Sequence, residues 1–252
     1  MSGFLVVIPA RYASVRLPGK PLRMIAGRPM LQHVHQRAQE SGADDVIIAT
    51  DDERIAQAAA GFGAKVRMTS TDHRSGTDRL AEVSRLENWP DDRVVVNLQG
   101  DEPLMPPALI DHCAALLGES GAGMATLASP LASRKDFLNP NVVKVVVDER
   151  GDALYFSRAA IPFARDAGQG SLALATALHH HGLYAYRADV LRRLVAAERA
   201  PLEIVEELEQ LRALTLGIRI RVGIPARRPG PGVDTEEDLV RVERELLGSS
   251  TK

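Results

Sequence analysis

The chain contains a single cysteine, Cys113, in 252 residues. An internal disulfide and any cysteine-based zinc or iron–sulfur centre are therefore excluded. Cys113 falls in an apolar helical stretch, Leu109 to Leu117, which suits a small core residue. Long apolar runs are also missing, and no segment reaches the ~18 residues of a transmembrane helix. The opening Met1-Ser2-Gly3-Phe4 lacks the basic start of a signal peptide. There is no excess of one charge: 31 Lys and Arg face 33 Asp and Glu, for a net −2. That argues against a general nucleic-acid or membrane-surface binder, so any anion site must be local. Internal repeats, long linkers and low-complexity segments are lacking too. What is present is an ordinary globular composition, 45% hydrophobic and 25% charged, long enough for one large α/β domain. The expectation is a cytoplasmic protein with no membrane insertion and no nucleic-acid partner.

Phe4 to Ile8 is a continuous apolar run that breaks at Pro9, the pattern of a strand buried on both faces. Similar runs at 46–49, 65–68 and 93–98 alternate with helical periodicity at 30–40, at 52–60 with Asp51 as cap, and at 78–86. Alternation of this kind indicates βαβ units and a mainly parallel sheet. Gly61-Phe-Gly63 looks like part of a dinucleotide fingerprint but follows a helix instead of a strand, so that reading is rejected. From Gly123 the pattern changes. Residues 124–131, 142–148, 153–156 and 182–187 are strand-like, with Gly151-Asp152 as a hairpin turn. They read as a strand-rich excursion from the sheet and a candidate dimer surface. One helix is expected from Pro201 to about Leu216, then a strand at 219–224. A last helix is capped by Thr235, which has capping-box spacing to Asp238.

Four stretches could carry chemistry. The loop after the first strand sets Arg11, Arg16 and Lys20 among Ala13, Ser14, Pro18 and Gly19. A solvated basic loop is the plain alternative. The cations are interleaved with Pro and Gly and not with acids, and they sit where open α/β sheets bind ligands, which favours a polyphosphate grip. In Gln99-Gly-Asp-Glu-Pro103, Asp101 fits either a nucleotide–Mg²⁺ carboxylate or a turn Asp bonded to its own backbone. Asp234 follows Pro229-Gly-Pro-Gly-Val and stands just before a helix, where a carboxylate is favourable anyway. A metal role for it requires convergence with Asp101. In His179-His-His181 only the first and third could share a strand face, and no third zinc ligand is evident. One of these histidines facing a polar substrate is the better reading. In 203–212, apolar residues at 204, 208 and 211 would bury one helical face. Glu206, Glu207, Glu209 and Gln210 would then be solvated.

Taken together, these motifs resemble the 3-deoxy-manno-octulosonate (Kdo) cytidylyltransferase, or CMP-Kdo synthetase, family. The resemblance runs from Val7-Ile-Pro-Ala-Arg-Tyr-Ala-Ser-Val-Arg-Leu-Pro-Gly-Lys-Pro21 to Gly232-Val-Asp-Thr-Glu-Glu-Asp238. Between them stand Asp72-His-Arg-Ser-Gly-Thr-Asp-Arg-Leu80, Asn97-Leu-Gln-Gly-Asp-Glu-Pro103, Ala153-Leu-Tyr-Phe-Ser-Arg158 and His180-His-Gly-Leu-Tyr184. The opening motif fits many sugar nucleotidyltransferases; the set is specific.

The resemblance implies an α/β, Rossmann-like nucleotidyltransferase fold with a mainly parallel mixed sheet flanked by helices. It implies a single domain, with about 1–122 binding CTP and about 123–252 binding the sugar acid and forming a homodimer. The activity implied is Mg²⁺-dependent transfer of CMP from CTP to Kdo, the activated sugar of bacterial lipopolysaccharide biosynthesis. By the same resemblance Arg11, Ser14, Arg16 and Lys20 hold the triphosphate, and Ser75, Gly76 and Arg79 contact the nucleotide. Asp101 and Asp234 ligate Mg²⁺, and Arg11, Lys20, Asp101 and Asp234 are the catalytic set. Gln99, Arg158, His180, Tyr184, Glu209 and Gln210 line the sugar-acid pocket, with Arg158 as a bidentate partner for the carboxylate. His181 departs from the apolar residue of the family pattern, and Pro231 from a small polar one. The alternatives are a cytidylyltransferase for another α-keto sugar acid, such as 8-amino-Kdo or a sialic acid, and a non-catalytic nucleotide-binding module.

Overall fold

The computed structural model describes residues 3–14 and 17–249. Arg16, one of the three loop cations, lies outside the described residues.

The first strand, β1 (Phe4–Ala10), continues through Pro9 instead of stopping there. The pairing register explains this. Beside β1 runs the later strand 94–97, whose parallel pairing ends at Val7↔Asn97, so the missing Pro9 N–H interrupts no ladder on that side. A turn at Gly19, held at φ +66, leads into the short helical turn Lys20–Leu22. The small hairpin β2 (Met24–Ile25) and β3 (Arg28–Pro29) follows, then α1 (Met30–Gln39) and β4 (Asp45–Thr50). Helix α2 (Glu53–Gly61) is capped by Asp52, not Asp51. Asp51 is instead drawn into an ion pair with the buried Arg79. Strand β5 (Lys65–Met68), helix α3 (Gly76–Leu86), strand β6 (Val94–Asn97) and helix α4 (Pro107–Ser120) complete the alternating half.

The second half begins with β7 (Met124–Pro130), α5 (Arg134–Leu138) and the hairpin β8 (Lys144–Val147) and β9 (Ala153–Ser157). Then come α6 (Gly170–Thr176), β10 (Leu178–Arg187) and α7 (Ala188–Ala196). Two short helices, α8 (Pro201–Glu206) and α9 (Gln210–Thr215), replace the single helix expected. The break falls at Glu207, whose φ of +51 is incompatible with a continuing right-handed helix. Strand β11 (Ile220–Gly223) and helix α10 (Glu236–Ser249) end the described chain. Thr235 and Asp238 form the expected capping box, with Asp238 N 3.2 Å from Thr235 Oγ1 and Thr235 N 3.0 Å from Asp238 Oδ2.

Among the described residues one sheet has the order β11-β7-β10-β6-β1-β4-β5, with the β8–β9 hairpin branching from β10. The pairings β1–β4, β1–β6, β4–β5 and β7–β11 are parallel, whereas β10 runs antiparallel to both β6 and β7. The 124–130 and 178–187 strands are therefore integral to the sheet, and only β8–β9 is an excursion. Side chains of β1 alternate between two cores. Val6 and Ile8 pack with Leu31 and Val34 of α1 and Ile110 of α4, while Val7 packs with Leu80 of α3 and Leu191 of α7. Each fully buried Val, Leu or Ile contributes roughly 1.5–3 kcal/mol, and this central layer supplies the rigid base for the loops at the C-terminal ends of β1, β4 and β6. No helix among the described residues is long and apolar enough to cross a membrane.

Candidate active site

Two adjoining cavities open beyond those strand ends, where a parallel sheet presents its ligand crevice. The larger, about 840 Å³, is lined by the loop after β1, the loop after β6 and the start of α3. It takes in Arg11, Ser14, Lys20, Asp101 and Asp234. The smaller, about 340 Å³, lies over β10 and the α8–α9 break and takes in His180, Tyr184 and Gln210. Gly76, Gln99 and Glu209 line both.

Asp101 and Asp234 come from distant loops, and both are close to one atom. Lys20 Nζ stands 2.5 Å from Asp101 Oδ2 and 2.8 Å from Asp234 Oδ1. The backbone fastens the two loops independently, because Val233 N donates to Asp101 O at 2.9 Å. The cap of α10 fixes the other side, with Asp234 N and Thr235 N both donating to Asp238 Oδ2. Gly100 suits the close approach here: a Cβ on it would meet Pro9 O at 3.0 Å, a tight contact where the β6 loop crosses the end of β1. Burial opposes the charge on Lys20, but the two carboxylates outweigh it and raise its pKa. Glu102, beneath the same loops, is pushed up to about 8 by burial, with the Asp101 charge adding to the effect.

Ser75 is the N-cap of α3 and forms a capping box with Asp78, so the helix start beside the cavity is rigid. Backbone N–H groups at such a start are suited to an anion. Arg79 lines the cavity but is itself 3% exposed. Its guanidinium is spent on Thr69 Oγ1 at 2.7 Å, Ser70 O at 3.3 Å and the Asp51 carboxylate. It ties the 69–75 loop to the end of β4, so its direct role is in shaping the wall. His73 and Arg74, in the loop just before Ser75 that the resemblance also implicates in nucleotide contact, line this cavity as well.

In the smaller cavity the β10 side chains point inward from a buried strand. His180 lies 3.1 Å from Thr126 Oγ1 and edge-on to Phe156, with ring centroids 5.0 Å apart. Burial, reinforced by the His181 and His179 charges, lowers its pKa to about 3. The Tyr184 hydroxyl and Gln210 Nε2 are buried without a hydrogen-bond partner among the described residues. Unpartnered buried donors are uncommon and costly. Glu209 accepts from the Thr77 hydroxyl at 2.7 Å, and burial raises its pKa. Periodicity alone would have left Glu209 and Gln210 in solvent; the turn at Glu207 swings them into the cavity. Asn97, at the polar end of the buried β6 run, and Asn141 line it as well.

Arg158 is placed differently from the pocket-lining position expected of it. It lies outside both cavities, and its guanidinium donates to Glu206 O at 2.7 Å, Pro140 O at 3.2 Å and Glu207 O at 3.4 Å. Those carbonyls adjoin or belong to the wall residues Asn141 and Glu207. His179 and His181 share a face, with ring centroids 4.8 Å apart, and His181 Nε2 stands 3.0 Å from Ser129 Oγ. Among the described residues no group of three or more His, Cys, Asp or Glu is arranged to hold a metal. Cys113 is buried, and its thiol is pushed far up by burial.

Comparison with known proteins agrees with this architecture. A family model described as Cytidylyltransferase matches residues 5–220. A curated 3-deoxy-manno-octulosonate cytidylyltransferase from Thioalkalivibrio sulfidiphilus (strain HL-EbGR7) is 52% identical over 246 residues, 96% of this chain and 98% of that protein. A solved CMP:2-keto-3-deoxy-manno-octonic acid synthetase complexed with CTP superposes with a TM-score of 0.90 at 44% identity. That match covers 98% of this chain and 100% of the other. A 4-diphosphocytidyl-2C-methyl-D-erythritol synthase shares the fold at TM-score 0.64 and 15% identity, covering 97% and 98% of the two chains. The chain belongs to the cytidylyltransferase family, within its 3-deoxy-manno-octulosonate branch.

Proposed function

We propose that the protein transfers CMP from CTP to Kdo, releasing pyrophosphate and supplying the activated sugar of lipopolysaccharide biosynthesis. The observation that carries this reading is the pair of cavities meeting at Gly76, Gln99 and Glu209. One is lined by cations and carboxylates suited to a triphosphate; the other holds Tyr184 and Gln210, whose hydroxyl and Nε2 have no hydrogen-bond partner among the described residues and suit a polyhydroxylated acid. The family and the CTP-bound relative point to the same pair of substrates.

The anomeric oxygen of the sugar attacks the α-phosphorus as the bond to the β-phosphate oxygen breaks. Such chemistry is mainly positioning and charge neutralisation. Arg11, Ser14, Arg16 and Lys20 hold the triphosphate, and Arg11 and Lys20 neutralise the departing pyrophosphate. Ser75, Gly76 and Arg79 frame the nucleotide at the start of α3. Gln99, His180, Tyr184, Glu209 and Gln210 orient the sugar acid. The Arg158 guanidinium, next to the wall at Asn141 and Glu207, serves the acid's carboxylate only by leaving its present carbonyl partners.

Asp101 and Asp234 would hold Mg²⁺. The fit rests on two carboxylates that already share one cationic atom, Lys20 Nζ, and hard divalent cations take such oxygen ligands. When bound, the ion supplies Lewis-acid stabilisation of charge at the α-phosphate. Lys20 keeps the carboxylate pair assembled in the unliganded protein, and its ammonium serves phosphate oxygens when the carboxylates have another cation.

The protein acts in the cytoplasm on small substrates, without nucleic acid or membrane insertion. It works as a homodimer through the 123–187 region, where Leu154, Phe163 and Leu172 are 61%, 86% and 65% exposed. Competition among Kdo, 8-amino-Kdo and a sialic acid, with each nucleotide product identified by mass, tests the substrate. A preference for one of the other acids would move the assignment to that acid.

A further inference from the structure

Lys144 is fully buried and touches neither cavity. Its Nζ donates to three backbone carbonyls, Asn139 O at 2.8 Å, Val142 O at 2.6 Å and Arg158 O at 2.6 Å. An ammonium has three donors, and all three are used. A buried cation is tolerated only with such satisfaction. In a residue whose role were merely to fill space, an apolar side chain would serve without that demand.

The three carbonyls come from two separate segments. Asn139 and Val142 belong to the loop before β8, whereas Arg158 follows β9. Lys144 itself pairs with Ser157 on one side and His179 on the other, so it sits at the junction of β9, β8 and β10. Asn141, Val143 and His179 line the smaller cavity. Arg158 carries the connection across to the opposite wall. Its N–H donates to Glu206 Oε2 at 2.9 Å and its Nε to Glu206 O at 2.7 Å. The Ser157 hydroxyl donates to Glu206 Oε1 at 2.6 Å. Glu206 directly precedes the Glu207 turn that delivers Glu209 and Gln210.

We propose that Lys144 is a positioning residue for the sugar-acid cavity, its ammonium fastening the 139–142 loop and Arg158 at one point and so setting the distance between the cavity's two walls. The consequence for substrate rests on the sugar-acid reading of that cavity. The clamp itself does not. Among the described residues the link from Lys144 reaches the triphosphate cavity through the shared wall residue Glu209, so the sugar acid should respond to its loss far more than CTP.

The test uses the full-length protein and its Lys144→Met variant, with two readouts. Hydrogen exchange in the unliganded proteins should show faster exchange at both 139–143 and 206–210 in the variant, with 4–10 and 94–97 unchanged. Pyrophosphate release with each substrate varied in turn should show the KM for Kdo rising up to about a hundredfold while the KM for CTP stays within about twofold. Protection retained at 206–210, or KM values rising together for both substrates, would overturn the proposal. If Lys144→Met does not accumulate as folded protein, Lys144→Arg replaces it. That variant keeps the charge but cannot converge three donors on the same carbonyls, and the same split is expected with a smaller rise. An unchanged KM for Kdo in folded Lys144→Arg would count against the clamp. A wild-type enzyme that releases no pyrophosphate with Kdo would instead remove the sugar-acid reading, leaving the exchange result to judge the clamp alone.

Discussion

Lys20 Nζ lies 2.5 Å from Asp101 Oδ2, across 81 residues of sequence. The ammonium that is expected to grip phosphate thus rests, without ligand, on a carboxylate expected to hold metal. Replacing Asp101 or Asp234 by Asn should lower turnover about a hundredfold or more, the scale of losing one preorganised electrostatic contact. The thermal midpoint should change little, since Lys20 retains its other partner. Pyrophosphate release alongside thermal unfolding checks both. Near-normal turnover in either variant would remove that residue from the metal site.

Tyr184→Phe should separate stability from activity. The hydroxyl is buried without a partner among the described residues, and such a group costs about 1–3 kcal/mol. Its removal should leave the unliganded thermal midpoint unchanged or higher, while the KM for the sugar acid rises. A fall in midpoint would mean that the hydroxyl is bonded in the free protein.

How much of this was legible in the sequence depends on range. The βαβ alternation, the Thr235–Asp238 cap and the Gly151 hairpin are set by residues within a few positions of one another, and the structure has them. The Asp51 cap failed because adjacent Asp51 and Asp52 are locally equivalent, and Arg79, far along the chain, takes Asp51. The residues at 204, 208 and 211 have the spacing of one helix. The positive φ at Glu207 that divides it has no glycine to announce it, so Glu209 and Gln210 looked solvated from periodicity alone. The convergence of Asp101 with Asp234 depends on long-range contacts, Lys20 and the Val233–Asp101 bond, which no spacing encodes. Likewise β10 reads as a strand, but its place between β6 and β7 is tertiary information.

Glu207→Gly should stabilise the protein by roughly 1 kcal/mol, because the left-handed conformation at φ +51 is costly for a residue with a Cβ and free for glycine. Denaturant unfolding measures it. Destabilisation would show that the Glu207 side chain contributes more than its backbone strain costs.

The pH dependence of stability should carry the signature of His180. Its folded pKa, about 3, lies below the ordinary histidine value of 6.5, so the unfolded chain binds the extra proton between those values. Stability therefore falls as pH drops through that window and is level above it. His180→Gln should flatten the acid limb by up to one proton, or about 1.4 kcal/mol per pH unit. Urea midpoints from pH 7 to 4 compare the two proteins, and identical slopes would mean that His180 is protonated in the folded state.

The most direct measurement is pyrophosphate release from CTP in the presence of Mg²⁺, with and without Kdo. The account predicts release that requires Kdo and Mg²⁺ and matches CMP-Kdo formed one for one. CTP binding with no pyrophosphate released when Kdo is added would contradict it.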